Sequence, residues 1–165
     1  MMGAMATVIR PYDGNDRDAV TALSLRAWAP VFASLEAILG PSGLFAWMHP
    51  DWREDQRRAV HSALADADLD IHVAEVDGEV TGFVAVRIDQ DSRLGEIHMI
   101  AVDPDHQRQG IGARLTDAAA TRMKTLGMEA AMIDTGGDPG HAPARRTYER
   151  AGFTPLPITR YFKRL

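Results

Sequence analysis

Residues 96–115 read EIHMIAVDPDHQRQGIGARL, and this stretch decides the fold. An apolar strand runs into a short polar turn, which leads into a Gln-x-x-Gly-x-Gly loop at the start of a helix. The first amides of a helix have no partner within it, and the aligned peptide dipoles favour negative charge there. Because glycine removes the bulk of Cβ, the stretch predicts a backbone site for a phosphate or pyrophosphate group.

Two common phosphate-binding loops do not fit this stretch. A P-loop needs Lys followed by Ser or Thr after its last glycine, whereas Ala113 and Arg114 follow Gly112. A dinucleotide fingerprint needs a third glycine where Leu115 stands, and it is expected in an N-terminal βαβ unit. Neither class of nucleotide-binding protein is predicted.

The stretch resembles the acetyl-coenzyme A loop of the GCN5-related N-acetyltransferase (GNAT) superfamily, whose pattern is Gln/Arg-x-x-Gly-x-Gly/Ala. Gln107, Gly110 and Gly112 fill its fixed positions. A second motif of the family matches residues 148–153 (YERAGF), where glycine ends a helix and phenylalanine starts new structure. The resemblance is firm over residues 71–155 and elsewhere rests on the order of elements.

The resemblance implies that acetyl-CoA is the cosubstrate and that the main chain holds it. In the family the strand bulges just before the loop, so that amides reach the acetyl carbonyl and the pantetheine, while the pyrophosphate lies on the loop amides. Arg108 and Arg114 are nearby cations. The residues implied to bind acetyl-CoA are Ile100, Ala101, Val102, Gln107, Arg108, Gln109, Gly110, Ile111, Gly112 and Ala113. The bulge is expected at the first three of them.

The resemblance places Tyr148 as the acid that protonates the departing coenzyme A thiolate. A tyrosine suits this step because its reference pKa near 10 keeps it protonated at neutral pH. The alternative is that Tyr148 is only a packed helix residue.

The general base is left open among four residues. Glu96 matches the strand glutamate that is the base in the histone-acetylating branch of the family, and regular alternation predicts that Glu96, His98 and Ile100 share one face. Asp134 ends the next strand, in front of a glycine-rich turn. His141 stands where many family members carry asparagine, and it is a candidate catalytic residue, a pantetheine contact or a helix cap.

Composition limits the other function classes. The 165 residues suit a single domain spanning 1–165, and a net charge of −5 argues against general nucleic-acid binding. Cysteine is absent, which excludes disulfides and thiolate chemistry, and no metal-ligand spacing is found, so no metal is expected. No apolar run of membrane-spanning length and no signal peptide are expected. A cytoplasmic protein without a membrane partner is the default, and a homodimer is possible.

Periodicity and breaker residues predict an α/β protein with the element order of the GNAT fold. The expected architecture is a mixed sheet of six to seven strands with helices on both faces. Strands are predicted at residues 7–10, 71–76, 80–88, 93–102 and 128–134, with one or two more in residues 153–165. Helices are predicted at residues 16–29, 31–39, 52–67, 111–126 and 142–150, with Pro30 ending the first of them.

The predicted activity is direct acetyl transfer from acetyl-CoA to a primary amine of a small molecule or peptide. In the family, the helices after the first strand wall the acceptor pocket. This segment carries the aromatic residues Trp28, Phe32, Phe45, Trp47 and Trp52 and the carboxylates Glu36, Asp51, Glu54 and Asp55. They either line the pocket or are ordinary core and surface residues. Two alternatives are a non-catalytic acyl-CoA sensor and transfer of another acyl group or to an oxygen acceptor.

Overall fold

The computed structural model describes residues 6–165. Its strands are β1 (Thr7–Pro11), β2 (Leu69–Val76), β3 (Glu79–Asp89), β4 (Leu94–Val102) and β5 (Ala130–Met132). Its helices are α1 (Arg17–Leu39), α2 (Leu44–Met48), α3 (Trp52–Ala65), α4 (Ile111–Thr125) and α5 (Ala142–Arg150). The predicted α/β class and the mixed sheet are confirmed.

One sheet has the strand order β1-β2-β3-β4-β5. Its first four strands are antiparallel, and β5 runs parallel to β4. The predicted number of six to seven strands is wrong for the described residues, which form five. Residues 154–165 are exposed and form no strand, because Pro155 and Pro157 lack the N–H groups that a ladder needs. The strand predicted at 128–134 shortens to the three residues of β5.

Helices cover both faces of the sheet, as predicted. On one face α1 and α3 pack against β2, β3 and β4, with Val20, Val60 and Phe83 fully buried. On the other face α4 packs against the same strands through Leu115 and Met123. Successive β3 residues alternate between the two cores, which is the period-two pattern of a strand buried on both sides.

The predicted hairpin of β2 and β3 is confirmed. Asp77 and Gly78 form its two-residue turn, and both have a positive φ, of 51° and 84°. A turn with two positive φ values matches the twist of the flanking strands, and Asp-Gly is a preferred sequence for it. This hairpin leads directly into β4, which carries the site.

The first helix differs from its prediction. Residues 17–39 form one continuous helix, with Pro30 inside it, rather than two helices divided at that proline. Pro30 lacks the N–H that would donate to the carbonyl of Arg26, so one helical hydrogen bond is missing. Burial of Val20, Leu23 and Phe32 on both sides of the proline stabilises the helix against this loss.

By length and composition alone, the helical segment Gly14–Ser42 contains an 18-residue window apolar enough to cross a membrane, with a mean hydropathy of 1.3. The expectation that no run of this length exists is therefore wrong by this criterion. In the sequence, Pro30 divides this segment into two predicted helices, and each of them is too short to span a membrane. In the structure Val20 and Leu23 of this segment pack into the core between the helix and the sheet.

Candidate active site

The site begins where β4 and β5 separate. Only Leu94, Gly95 and Glu96 pair with β5, at Ala130, Ala131 and Met132. Within residues 6–165, no strand pairs with residues 97–102 on that edge, although β3 pairs with them on the other. We call the opening between residues 97–102 and the chain after β5 the fork. Its β4 edge offers backbone groups that a ligand can bind.

A bulge in β4 redirects its side chains. Met99 pairs with Ala85 and Ile97 pairs with Val86, so His98 is the extra residue. The bulge therefore lies at His98 and not at residues 100–102, which corrects the expected position. The bulge also makes the prediction wrong that Glu96, His98 and Ile100 share one face of β4. Ile100 now packs on the α4 face with Ile97, and Glu96, opposite Arg87, lies on the α1 face.

The glycine loop presents unpaired amides at the end of the fork. Arg108 and Gly110 adopt positive φ values of 62° and 81°, which turn the chain into α4 at Ile111. The N–H groups of residues 108–113 donate to no acceptor in residues 6–165. We call these six N–H groups the amide row. Such a row at a helix N-terminus is suited to a phosphate or pyrophosphate.

Glycine at position 112 leaves room beside the amide row. A Cβ there would make ordinary contacts of 3.7 Å with Val102 and 3.9 Å with Thr147. The protein's own packing therefore does not require this glycine, in contrast to Gly110, whose positive φ does. Clearance for a bound group explains Gly112 better than packing does.

Three side chains around the glycine loop make hydrogen bonds or ion pairs within the protein, and these contacts hold the loop in place. Gln107 donates from Nε2 to the carbonyl of Val102 at 3.1 Å, which ties the loop to β4. Arg114 donates to the carbonyl of Thr7 at 2.8 Å, so its guanidinium is held at β1. Arg26 of α1 forms ion pairs of 2.9 Å with Asp103 and 2.6 Å with Asp105. Sequence reasoning missed Arg26 because its partners are far along the chain.

Tyr148 combines a buried ring with an accessible hydroxyl. The residue is only 9% exposed, and its ring meets Phe153 edge-on, with 6.2 Å between centroids. Burial raises the pKa of Tyr148 to about 12. The hydroxyl makes no hydrogen bond within the described chain, yet it is not among the fully enclosed polar atoms. It is thus protonated at neutral pH and open to a partner.

His141 lies in a glycine-rich turn between β5 and α5. Residues 136–141 form this feature, which we call the glycine turn. His141 Nδ1 makes a short hydrogen bond with Asp138 Oδ1, and Ser34 of α1 donates to Asp138 Oδ2 at 2.7 Å. Arg145 donates to the carbonyls of Gly136 and Asp138 at 2.5 and 2.8 Å. Sequence reasoning missed Ser34, Asp138 and Arg145, although the run of glycines indicates an unusual turn.

The other candidate bases have different surroundings. Glu96 is half-buried at the start of the fork, and its carboxylate is 3.9 Å from Arg87 and 3.9 Å from Nδ1 of His98. His98 is exposed, and Asp134 is exposed without a hydrogen bond in the described chain. Among the ion pairs and hydrogen bonds of residues 6–165, none joins Glu96 to His141. The structure therefore contains two separate candidate groups.

The strand β4, the glycine loop, the helix α4 and the buried Tyr148 occur in the order of the sequence motifs. A family model described as the acetyltransferase (GNAT) family matches residues 32–153, more than half of the chain. The chain belongs to the acetyltransferase (GNAT) family.

Named relatives of the family agree with this assignment. The chain is 38% identical over 87 residues to mycothiol acetyltransferase of Sanguibacter keddieii, a match that covers 50% of this chain and 27% of the relative. A second mycothiol acetyltransferase, from Amycolatopsis mediterranei, is 31% identical over 150 residues, or 86% of this chain and 44% of the relative. The chain thus spans less than half the length of these curated relatives.

Solved structures show the same fold. The ribosomal-protein-S18-alanine N-acetyltransferase of Escherichia coli superposes with a TM-score of 0.66 at 18% identity, covering 92% of this chain and 80% of that one. The PaiA N-acetyltransferase of Thermoplasma acidophilum, solved with coenzyme A, gives 0.66 at 17% identity and 91% coverage of both chains. Identities this low support the GNAT fold alone.

The helices after β1 carry the carboxylates and aromatic residues for which the sequence leaves two roles open, pocket lining or ordinary core and surface positions. Glu54 and Asp55 form ion pairs with Arg57 and Arg58, and Asp51 accepts from the amide of Glu54. Three of the four carboxylates are therefore engaged on α3 itself, which favours the second role for them. Glu36 is exposed and has no ion pair in the described residues.

The aromatic residues of the same segment divide into packed and exposed ones. Phe32 stacks on Trp52, with 4.6 Å between ring centroids, and Phe45 is buried. Trp28 packs against the core of the α1 face. Trp47 is 65% exposed. Most of these aromatic residues thus have a packing role. Separately, no group of metal-binding side chains occurs among residues 6–165.

Proposed function

We propose that this protein is an acetyl-CoA-dependent N-acetyltransferase that moves the acetyl group directly to a primary amine. The observation that carries the proposal is the amide row, six unpaired N–H groups beside the open edge of β4. A thioester carrier with a diphosphate and a long, polar arm has the shape and charge that these two features accept. Membership of the acetyltransferase family and the coenzyme A complex of a fold neighbour support this choice.

Coenzyme A would bind along the main chain. The pyrophosphate would lie on the amide row, contributed by Arg108, Gln109, Gly110, Ile111, Gly112 and Ala113. The pantetheine arm would follow the β4 edge of the fork at Ile100, Ala101 and Val102. Gln107 would act by holding the loop against β4 through its bond to the Val102 carbonyl.

The reaction needs three proton movements to balance. The acceptor arrives as an ammonium ion and gives one proton to a base. At neutral pH, removing this proton from a lysine-like amine costs roughly 4 to 5 kcal/mol, and the base offsets part of that cost. The nitrogen lone pair then forms the N–C bond at the thioester carbonyl. The C–S bond breaks, its electron pair goes to sulfur, and the thiolate takes the hydroxyl proton of Tyr148. The second proton of the amine nitrogen returns the phenolate to its neutral form.

Tyr148 suits the acid step because its environment keeps the proton on the phenol until a strong acceptor forms nearby. Burial disfavours the phenolate, so the pKa of Tyr148 rises to about 12 and the acid form dominates at neutral pH. A developing thiolate beside the hydroxyl would be such an acceptor.

Two described groups suit the base. Glu96 lies at the start of the fork, next to Arg87 and His98. His141 lies in the glycine turn and is hydrogen-bonded to Asp138. Glu96 acting as base predicts that Glu96→Gln raises the pH needed for activity.

The acceptor is proposed only as a class, a primary amine of a small molecule or a peptide. A named fold neighbour acts on the alanine of a ribosomal protein, which supports testing peptide N-termini. The net charge of −5 favours a cationic acceptor over a nucleic acid.

The test is release of coenzyme A from acetyl-CoA in the presence of an amine panel. The panel contains a peptide starting with alanine, a lysine peptide, spermidine and an aminoglycoside such as kanamycin. Turnover with at least one amine, lost in Tyr148→Phe, supports the proposal. Tight binding of acetyl-CoA without turnover of any amine contradicts it and favours an acyl-CoA sensor. Propionyl-CoA and succinyl-CoA in the same assay test the acyl preference.

A further inference from the structure

The glycine turn is built around a buried carboxylate. The Asp138 side chain is 6% exposed and accepts three hydrogen bonds, from Ser34 Oγ at 2.7 Å, from the amide of Gly140 at 3.0 Å and from His141. Burial would raise the pKa of Asp138, but the bonds from Ser34 and His141 outweigh it and leave the pKa below its ordinary value. The carboxylate is therefore ionised and can only accept hydrogen bonds.

Two glycines allow this carboxylate to lie against α1. A Cβ at Gly136 would collide with Asp138 Oδ1 and would be 2.5 Å from His141 Nδ1. A Cβ at Gly140 would be 2.7 Å from the Cβ of Ser34. Any larger residue at either position would separate these groups, so the glycines serve the Asp138 contacts as well as the turn.

An ionised, fully engaged Asp138 decides the tautomer of His141. Because the carboxylate has no proton to give, the hydrogen between Asp138 Oδ1 and His141 Nδ1 belongs to the imidazole. In the neutral ring, Nε2 then carries the lone pair. That atom makes no hydrogen bond in the described chain and is not fully enclosed. It is free to accept a proton from a ligand.

The glycine turn also places His141 about two helical turns before Tyr148, the proposed acid. His141 directly precedes α5, and Tyr148 comes seven positions later. This spacing puts both side chains on the same side of the helix, about 10 Å apart along its axis. α1 contacts the chain on both sides of the fork, through Arg26 to Asp103 and through Ser34 to Asp138. α1 thus links the two segments that border the fork, the loop after β4 and the glycine turn.

We propose that Asp138, held by Ser34, is a positioning residue that fixes His141 as the Nδ1–H tautomer, so that His141 Nε2 takes the proton of the acceptor amine. The inference rests on the proposed transferase function, and it assigns the base to the glycine turn instead of Glu96. The charged groups that contact this turn are Asp138 itself and Arg145 from α5, while α1 contributes the neutral Val31 and Ser34.

The first test needs no substrate. Long-range ¹H–¹⁵N NMR spectra of the full chain report which nitrogen of each neutral histidine carries hydrogen, and His141→Gln assigns the signal. The wild type is expected to show Nδ1–H for His141. In Asp138→Asn the amide oxygen must face the Gly140 N–H, which turns the amide NH₂ toward Nδ1, and the tautomer is expected to change to Nε2–H. A wild type with Nε2–H overturns the inference, whether or not any amine is turned over.

The second test measures kinetics with the panel amine that is turned over fastest. His141→Gln and Asp138→Asn are expected to lower kcat about 100-fold, with the KM for acetyl-CoA changed less than about threefold, because a missing base removes a proton transfer and leaves the amide row intact. The acidic limb of the kcat/KM profile is expected to disappear in His141→Gln. Ser34→Ala is expected to lower kcat roughly 3- to 10-fold, since Asp138 keeps two donors.

Asp117→Asn is the matched control, because it removes an exposed carboxylate from α4. Circular dichroism and melting curves show whether each variant folds. A folded Asp138→Asn with a wild-type pH profile and kcat overturns the inference. If the wild type turns over no panel amine, the proposed function fails, and the tautomer measurement still tests the positioning by Asp138 on its own.

Discussion

The coenzyme side and the acceptor side of this protein are built in different ways. On the proposed coenzyme side, the main chain offers the candidate binding groups, namely the amide row and the open edge of β4. On the proposed acceptor side, side chains from distant parts of the sequence meet in the glycine turn, and Ser34 and Asp138 are 104 residues apart. Under the proposed function, the coenzyme side therefore depends on a short stretch of neighbouring residues, whereas the acceptor side depends on contacts that form only in the folded chain.

The largest expected effect on kcat comes from Tyr148, the proposed acid between the coenzyme side and the acceptor side. Tyr148→Phe is expected to lower kcat by roughly 100- to 1,000-fold, because a positioned acid contributes about that much. The affinity for acetyl-CoA is expected to stay within twofold, since the ring remains packed against Phe153. Turnover assays and isothermal calorimetry measure the two quantities. Wild-type turnover in this variant would remove Tyr148 from the mechanism.

A charge on the coenzyme side is expected to have the next largest effect. Gly112→Asp would place a carboxylate beside the diphosphate and weaken acetyl-CoA binding about 100-fold, a Coulombic penalty of roughly 3 kcal/mol. Gly112→Asn has the same shape without the charge, and it is the matched control. Position 112 has space for a Cβ, so both variants are expected to fold. Equal affinities in calorimetry would place the diphosphate elsewhere.

A stability effect is expected from the proline of α1. Pro30 is exposed, and Pro30→Ala restores the helical hydrogen bond to the Arg26 carbonyl. The unfolded chain also gains freedom, which offsets part of this gain. We expect the free energy of unfolding to increase by about 1 to 2 kcal/mol, measured by urea denaturation, with acetyl-CoA affinity unchanged. Destabilisation would show that the proline shapes a helix that the acceptor side requires.

The smallest effect is expected from the surface carboxylates of α3. Glu54→Gln and Asp55→Asn remove ion pairs with Arg57 and Arg58 that are exposed, and such pairs contribute about 0 to 1 kcal/mol. The KM for the best panel amine is expected to change less than twofold. A tenfold increase in KM in either variant would return these residues to the acceptor pocket.

Local signals predicted the elements around the glycine loop from the sequence. The loop from Gln107 to Gly112 follows a strand and opens a helix, and both elements are confirmed. Asp77-Gly78 predicted the hairpin, and the helix at 142–150 matches its prediction. In each case the residues that decide the structure are neighbours in sequence.

Nonlocal contacts explain most of the differences. Packing of Val20 and Phe32 overrides Pro30, which local preference treats as a helix end. The bulge at His98 depends on the register with β3, and periodicity in β4 alone does not show it. Asp138 meets Ser34 only in the folded chain. The strands predicted in residues 153–165 do not form, because two prolines in this segment lack the N–H groups that pair a strand with its neighbour.

The order of the strands has a consequence for how the chain acquires this site. β2, β3 and β4 are consecutive and pair as neighbours, so they close only short loops, whereas β1 must cross 57 intervening residues to reach β2. We therefore expect a folding nucleus in this meander, with β1 and the β5–α5 region docking later. Refolding kinetics of Val84→Ala and Ala131→Gly would give a high φ value for the first and a low one for the second. The coenzyme edge would then exist before the acid and the glycine turn arrive.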